Sequence, residues 1–242
     1  MTDTNTNTTF TLSKDTMSVL ESVKNIQPNL VIEQSSNKLK TISEAQNFFA
    51  EIELDQDFPE NFYIYDLSEF LSCYSFLENP TLEFHSDHVV IVGQNGSKIK
   101  YILSPLSILT YPKKDVIMPE TCLDVILPEK NIIEAYNAGV VLQNSIVELE
   151  TDGNGNVYLN VIDANNPTSN NYTQLVETDN NCDQKIKAHF SRSHLNVVSG
   201  KNNCMLPGDY RVSLSEKLIS KWTNQSRNAV YFLALENTSK FE

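Results

Sequence analysis

From Leu12 onward apolar residues recur with a helical period: Leu12, Thr16, Val19, Leu20, Val23 and Ile26 share one stripe, which predicts an amphipathic helix. Ser13 is placed to cap its first turn and Pro28 to stop it. Residues 30–54 change to short apolar runs, NLVIEQ, KLKTIS and NFFAEIEL, parted by polar turns, and these predict strands. Asp66 can cap a second helix, DLSEFLSCYSFLEN, closed by Asn79-Pro80. Residues 82–92 and 98–103 then flank GQNG, a β-hairpin signal. The polar, aperiodic MTDTNTNTT at 1–9 is expected to be a loose tail.

The stretch 105–128 differs in kind. It holds Pro105, Pro112, Pro119 and Pro128 and the charged KKD triplet, and is expected to be an extended connection between two domains. After it the order of elements starts again. Residues 129–143 carry Ile132, Ile133, Tyr136 and Val140 at helical spacing; SIVELE, the turn DGNGN and VYLNVI then predict a hairpin. A polar loop at 165–171, strands near 173–177 and 184–190, a short helical piece SRSHLNVVS and a final hairpin-like pair, 209–218 with 229–235, complete the chain. Helix, strands, helix, strands thus occurs twice, offset by roughly 115 to 127 residues, as an internal duplication would give. The expected organisation is a tail at 1–9, domains at 10–110 and 126–242, and a linker at 111–125. The class is α+β, with two similar domains, each carrying two helices packed on antiparallel sheet.

Composition narrows the function. At 242 residues and 40% apolar, the chain can build real cores. No apolar run approaches the roughly 18 to 20 residues that span a bilayer, so no membrane partner is expected. Eighteen Lys+Arg against 31 Asp+Glu give a net charge of −13. Neither half is basic: 8 basic and 16 acidic residues lie in 1–118, and 10 and 15 in 119–242. A plain basic DNA-binding module is thereby disfavoured. Cys73, Cys122, Cys182 and Cys204 stand far apart with no CxxC and no signal-peptide pattern ahead of them, and are expected to be reduced thiols.

Candidate chemistry is thin. His85 and His88 have metal-ligand spacing, but within an alternating strand their side chains would point to opposite faces. Asp152-Gly-Asn-Gly-Asn resembles the start of a calcium loop, yet Val157 replaces the required glycine and Asp163 the bidentate Glu, so a tight hairpin turn accounts for it. GxSxG, GxxxxGK and HExxH are absent, and no catalytic residue, metal or cofactor is expected. By composition, the polar faces of the first helix (Lys14, Ser18, Glu21, Asn25, with Lys24 on the flank) and of the third (Lys130, Glu134, Ala138, Val141) are ordinary solvated surfaces.

Four segments in register resemble the sliding clamps of T-even bacteriophages, the processivity factors of DNA polymerase: LSKDT at 12–16 with Val19, Leu20 and Val23 after it; YIYDLSEFL at 63–71; LPGDY at 206–210; and VYFLALE at 230–236. The resemblance covers nearly the whole chain from about residue 10. It implies a DNA-clamp fold and a closed homotrimeric ring of six domains, helices lining the hole and sheets outside. It also implies a non-enzymatic protein that encircles duplex DNA without reading sequence and tethers the replicative DNA polymerase. An ATP-dependent clamp loader would open the ring. A late-transcription co-activator or sigma-like factor would dock on it, in the cytoplasm of the infected bacterial host.

On this resemblance Lys14, Lys24, Lys130, Arg192 and Lys201 would face the DNA. A pocket for partner peptides would be lined by Ile108, Leu109, Tyr111, Pro112, Leu206, Pro207 and Tyr231. The chain departs from the family in its third helix, where YNAGVVLQ at 136–143 carries no positive charge and Glu134 adds a negative one. Apart from the resemblance, a non-enzymatic two-domain phage structural or binding protein fits the same elements.

Overall fold

The computed structural model describes residues 9–166, 168–198 and 202–242. The chain divides into two compact units, one formed by residues 1–44 and 52–113, the other by 45–51 and 114–242. The short excursion at 45–51 carries Phe48 and Phe49 into the second unit, where they meet Tyr231 and Phe232 at ring distances of 6.0 and 5.8 Å. Of the expected tail, residues 1–8 lie outside the described residues, and Thr9 is already in a strand.

In the first unit, β1 (Thr9–Phe10) leads into α1 (Lys14–Val23). Ser13 caps α1 as expected, its hydroxyl accepting from Thr16 N at 2.9 Å. The buried stripe is Thr16, Val19, Leu20, Ser22 and Val23. β2 (Leu30–Ile32) pairs with β5 (Phe62–Ile64), and β3 (Lys38–Ile42) leads by a turn into β4 (Phe48–Glu53). Asp66 caps α2 (Leu67–Phe76) by accepting from Glu69 N at 3.0 Å. The sheet order is β1-β6-β7-β8, with β6 at Thr81–Phe84, β7 at His88–Val92 and β8 at Lys98–Ile102. The hairpin about GQNG is β7–β8. Phe58, Phe62, Phe70 and Phe84 interlock at centroid distances of 5.0 to 5.8 Å to form the core. Tyr74 ties both helices, its hydroxyl accepting from Leu12 N and donating to Pro80 O, each at 3.0 Å.

Residues 82–92, expected as one hairpin arm, are two strands. A tight turn reverses the chain at 85–88, where His85 N donates to His88 O. The two imidazoles therefore do not point to opposite faces. They stack at 4.4 Å, and His88 Nδ1 meets Asp87 at 2.6 Å.

The second unit holds two sheets. One has the order β12-β11-β10-β13-β17, with β10 at Ile146–Asp152, β11 at Val157–Ile162, β12 at Tyr172–Glu177, β13 at Lys185–Ser191 and β17 at Lys240–Phe241. In the other, β4 is followed by β16 (Ala229–Ala234), β15 (Ile219–Asn224), β14 (Tyr210–Ser215) and β9 (Leu123–Leu127). Trp222, Tyr210, Tyr231 and Phe190 form its aromatic core. The DGNGN turn is the hairpin turn expected, with the Asp152 carboxylate accepting from Asn154 N, Asn156 N and Asn156 Nδ2. The end of the expected linker is the strand β9, paired with β14 in antiparallel register. The final pair is a three-stranded meander because β15 intervenes between β14 and β16.

α3 (Glu129–Leu142) buries Ile132, Ala135 and Gly139, while Val140 is 51% exposed. The stripe is thus rotated from the one expected, because small residues let the helix lie close. A Cβ at Gly139 would stand 2.2 Å from Arg192 Cδ. SRSHLNVVS forms only a single 3-10 turn, Arg192–Leu195, so the second helix expected in this half is reduced to that turn among the described residues. No described helix is long and apolar enough to cross a membrane.

A buried polar group lies across β10, β11 and β13. The Glu148 carboxylate meets His189 Nε2 at 2.8 Å and accepts from Asn160 Nδ2 at 2.8 Å, while His189 Nδ1 meets Thr238 Oγ1 at 2.7 Å. Burial alone would raise the Glu148 pKa, but the hydrogen bonds from His189 and Asn160 outweigh it and hold the carboxyl below its usual value of 4.5. A carboxyl lowered in the folded state stabilises the fold above its unfolded pKa, and that contribution is lost as pH falls through the folded value. Denaturant melts of wild type and Glu148→Gln are therefore expected to differ by about 1–3 kcal/mol at pH 7, the difference shrinking as pH falls below the usual carboxyl value of 4.5. A gap that persists unchanged at pH 3 would contradict this account.

Candidate nucleic-acid interface

The positions expected to face DNA divide by environment. Lys14 opens α1 and is exposed. Lys24 is the C-cap of that helix and is ion-paired with Glu21. Lys130, in the first turn of α3, has an exposed side chain lying 3.7 Å from Glu134. Arg192 is held against α3: its Nε donates to Asn144 O at 2.9 Å and its guanidinium lies 5.4 Å from the Tyr136 ring centroid. It buttresses the C-terminal end of that helix as a cation–π and hydrogen-bonding partner. Lys201 lies outside the described residues. α2 carries no Lys or Arg, so the helices offer few cations, most of them partly matched by a neighbouring carboxylate.

The seven residues of the expected peptide pocket belong to both units. In the first, Ile108 is exposed, Leu109 is buried, and Tyr111 and Pro112 are half-buried beyond the short 3-10 turn Leu106–Ile108. In the second, Leu206 and Tyr231 are fully buried core residues. Tyr231 Oη accepts from Leu206 N at 3.0 Å and Tyr210 Oη donates to Leu206 O at 2.5 Å. Pro207 stays half-buried.

This explains the LPGDY segment. Two tyrosines pin Leu206. Gly208, at φ +137°, lets the backbone pass within 2.8 Å of Asn224 Nδ2 measured from where a Cβ would stand. Asp209 then accepts from Glu129 N at 2.8 Å and caps α3 from across the sequence.

Sequence periodicity missed a pair of matching edges. β8 and β12 each bond to one neighbour only, leaving a row of backbone groups on the other side. A helix flanks each. On α2, Glu69 lies 3.3 Å from Tyr101 Oη of β8, and Cys73 and Phe76 follow on the same stripe. On α3, Glu134 accepts from Gln174 Nε2 of β12 at 2.9 Å, and Ala138 and Val141 follow. Both stripes end in a strongly exposed apolar residue, with Phe76 and Val141 each 80% exposed. The strands add Ile102 at 58% and Leu175 at 50%. Lys98 and Lys100 lie on one edge and Glu177 on the other. The signal available in sequence was the repeated spacing of acid, small residue and apolar residue on the second and third helices.

No protein-family profile matches the chain. The sliding clamp of Vibrio phage KVP40 is 27% identical over 230 residues, covering 93% of this chain and 98% of that one. The chain has the fold of the sliding clamps. The proliferating cellular nuclear antigen of Entamoeba histolytica superposes with a TM-score of 0.62 at 14% identity, over 94% of this chain and 97% of that chain. A putative DNA polymerase III beta subunit from Eubacterium rectale gives 0.68 at 12% identity, over 98% of this chain and 67% of that one. The resemblance to phage clamps drawn from the four sequence segments is thus borne out over nearly the full length. Within the clamp fold those segments serve local structure: LSKDT and YIYDLSEFL contain the caps of α1 and α2, and LPGDY contains the cap of α3.

Tyr231→Phe would leave the buried Leu206 N–H without its acceptor. The expected cost is about 1–3 kcal/mol, seen as a melting temperature lower by roughly 3–10 °C. An unchanged melting temperature would mean that water or another group replaces the hydroxyl.

Proposed function

We propose that this chain is the subunit of a non-enzymatic sliding clamp, a homotrimeric ring that encloses duplex DNA and tethers the replicative DNA polymerase. The observation that carries the reading is the pair of unfilled edges on a clamp fold. A head-to-tail contact uses two different surfaces of one subunit and can close into a ring. β8 with Phe76 and Ile102 offers one such surface, β12 with Val141 and Leu175 the other; Lys100 on the first would meet Glu177 on the second, while Lys98 is already 3.6 Å from Glu83 of its own chain. Backbone pairing supplies geometry, the apolar residues supply burial, and the charges favour the heterologous pairing over self-pairing of either edge.

Enclosure relaxes the demand on DNA contacts. A closed ring keeps DNA until it opens, so residence time does not depend on phosphate affinity. A few non-specific cations then suffice and permit sliding. Lys14 and Lys130 are the helix-borne cations we assign to the hole, with Lys24, Arg192 and Lys201 secondary. Opening by an ATP-dependent clamp loader, docking of partner peptides near Ile108, Leu109, Tyr111, Pro112 and Pro207, docking of a late-transcription factor, and action in the cytoplasm of the infected bacterial host belong to the same reading.

With cognate polymerase and loader, the protein is expected to be retained on circular DNA and to run off linear DNA, and Lys14→Glu with Lys130→Glu to weaken loading or sliding without altering subunit assembly. Equal retention on both DNAs would sink the enclosure mechanism. The native mass is expected near three times 27.4 kDa. Leu175→Lys, which sets a cation against the lysines of the β8 edge, is expected to shift the mass toward the monomer while leaving the monomer's melting temperature unchanged. A strict monomer at high concentration in the wild type would favour the two-domain structural protein instead.

A further inference from the structure

Cys122 and Cys182 line one cleft of about 360 Å³ in the second unit. The chain stretches that carry them run past one another. Asn180 Nδ2 donates to Asp124 O at 3.0 Å, Cys122 lies two residues before Asp124, and Cys182 lies two residues after Asn180. The adjoining cleft continues the juxtaposition, with 119–122 on one side and Asp183 and Gln184 on the other. Cys182 is steadied there by its N–H, which donates to Asn180 Oδ1 at 3.0 Å.

Neither sulfur is committed to a strong partner. Cys122 Sγ stands 3.5 Å from Leu214 O and Cys182 Sγ 3.7 Å from Gln184 O, contacts of a weak S–H donor. Both residues are half-buried, whereas Cys204 is buried and Cys73 sits on α2 of the other unit. Burial and the neighbouring Cys182 push the Cys122 thiol up to about 11, so Cys122 is a poor first nucleophile.

We propose that Cys122 and Cys182 are a redox pair that a small-molecule disulfide of the glutathione type converts reversibly into an intramolecular disulfide. The Cys182 thiolate attacks one sulfur of the oxidant, forming a mixed disulfide and expelling one thiolate. Cys122, losing its proton to solvent, then attacks the Cys182 sulfur and expels the second thiolate. Two protein thiols are oxidised and one oxidant disulfide is reduced to two thiols. The new bond fastens the start of β9 to the β12–β13 connection. It closes residues 122–182 into a covalent loop that restricts the unfolded chain.

The test is to incubate the native, reduced full-length protein with glutathione disulfide and no denaturant, then record intact mass and map peptides. The expected result is loss of two hydrogens per chain, a linked peptide pair containing Cys122 and Cys182, full reversal by a phosphine, and a higher melting temperature for the linked form. Cys122→Ser is expected to stop at a single glutathione adduct on Cys182, and Cys182→Ser to lose the link. An unchanged mass, stable adducts on both cysteines of the wild type, or links only between chains would overturn the proposal.

Discussion

Every strand that ends a sheet leaves backbone donors and acceptors without a partner in its own chain, and the structure is organised around where those rows fall. In the second unit β13 has the short β17 and the residues around it along its outer side: Glu236 N donates to His189 O, His189 N to Ser239 Oγ, and Lys185 exchanges backbone bonds with Glu242. Among the described residues, β8 and β12 each bond a single neighbouring strand. An uncovered edge invites pairing, and an edge beside exposed Phe76 or Val141 also has apolar area to bury. In the proposed ring, the same demand that a sheet makes on its own strands would be met, at these two places, by another subunit.

Rigid presentation of those edges depends on polar groups satisfied inside each unit. Asp66 and Asp209 hold the N-termini of α2 and α3, and these helices set the stripes that flank β8 and β12. Tyr101 and Gln174, on the edge strands themselves, bond to the helix carboxylates of Glu69 and Glu134. Arg192 closes the far end of α3 through Asn144 O. A cation that the resemblance to phage clamps would turn toward DNA thus also keeps a helix on its sheet, and the Glu134 carboxylate, a negative charge on the third helix, positions β12.

The net charge of −13 is compatible with this arrangement. An ordinary DNA binder gains affinity by neutralising phosphates and loses it with salt. A ring holds its substrate by closure, and an acidic exterior discourages DNA from adhering to the wrong side. In the proposed ring, the sparse cations of α1 and α3 would guide DNA without gripping it.

Local signals in the sequence were sufficient wherever a segment's conformation is decided by its neighbours. Helical periodicity and the caps Ser13 and Asp66 specified α1 and α2, and alternation with GQNG and DGNGN specified the β7–β8 and β10–β11 hairpins. The doubled order of elements, with the four matching segments, specified the clamp fold. β15 escaped because its buried face is Ser220, Trp222 and Asn224, where two polar residues break the apolar alternation and find partners far along the chain, Leu233 O for Ser220 and Pro207 O for Asn224. The rotation of α3 depended on how closely Gly139 approaches Arg192, and the burial of Leu206 and Tyr231 on a hydrogen bond spanning 25 residues. The β8 and β12 edges and the cleft shared by Cys122 and Cys182 likewise depend on residues far apart in the chain. Periodicity and capping are properties of a few consecutive residues and can be taken from the sequence. Pairing between distant segments is selected by packing of the whole unit, so only the tertiary structure decided which edges stay open, which cations stay free and which side chains meet.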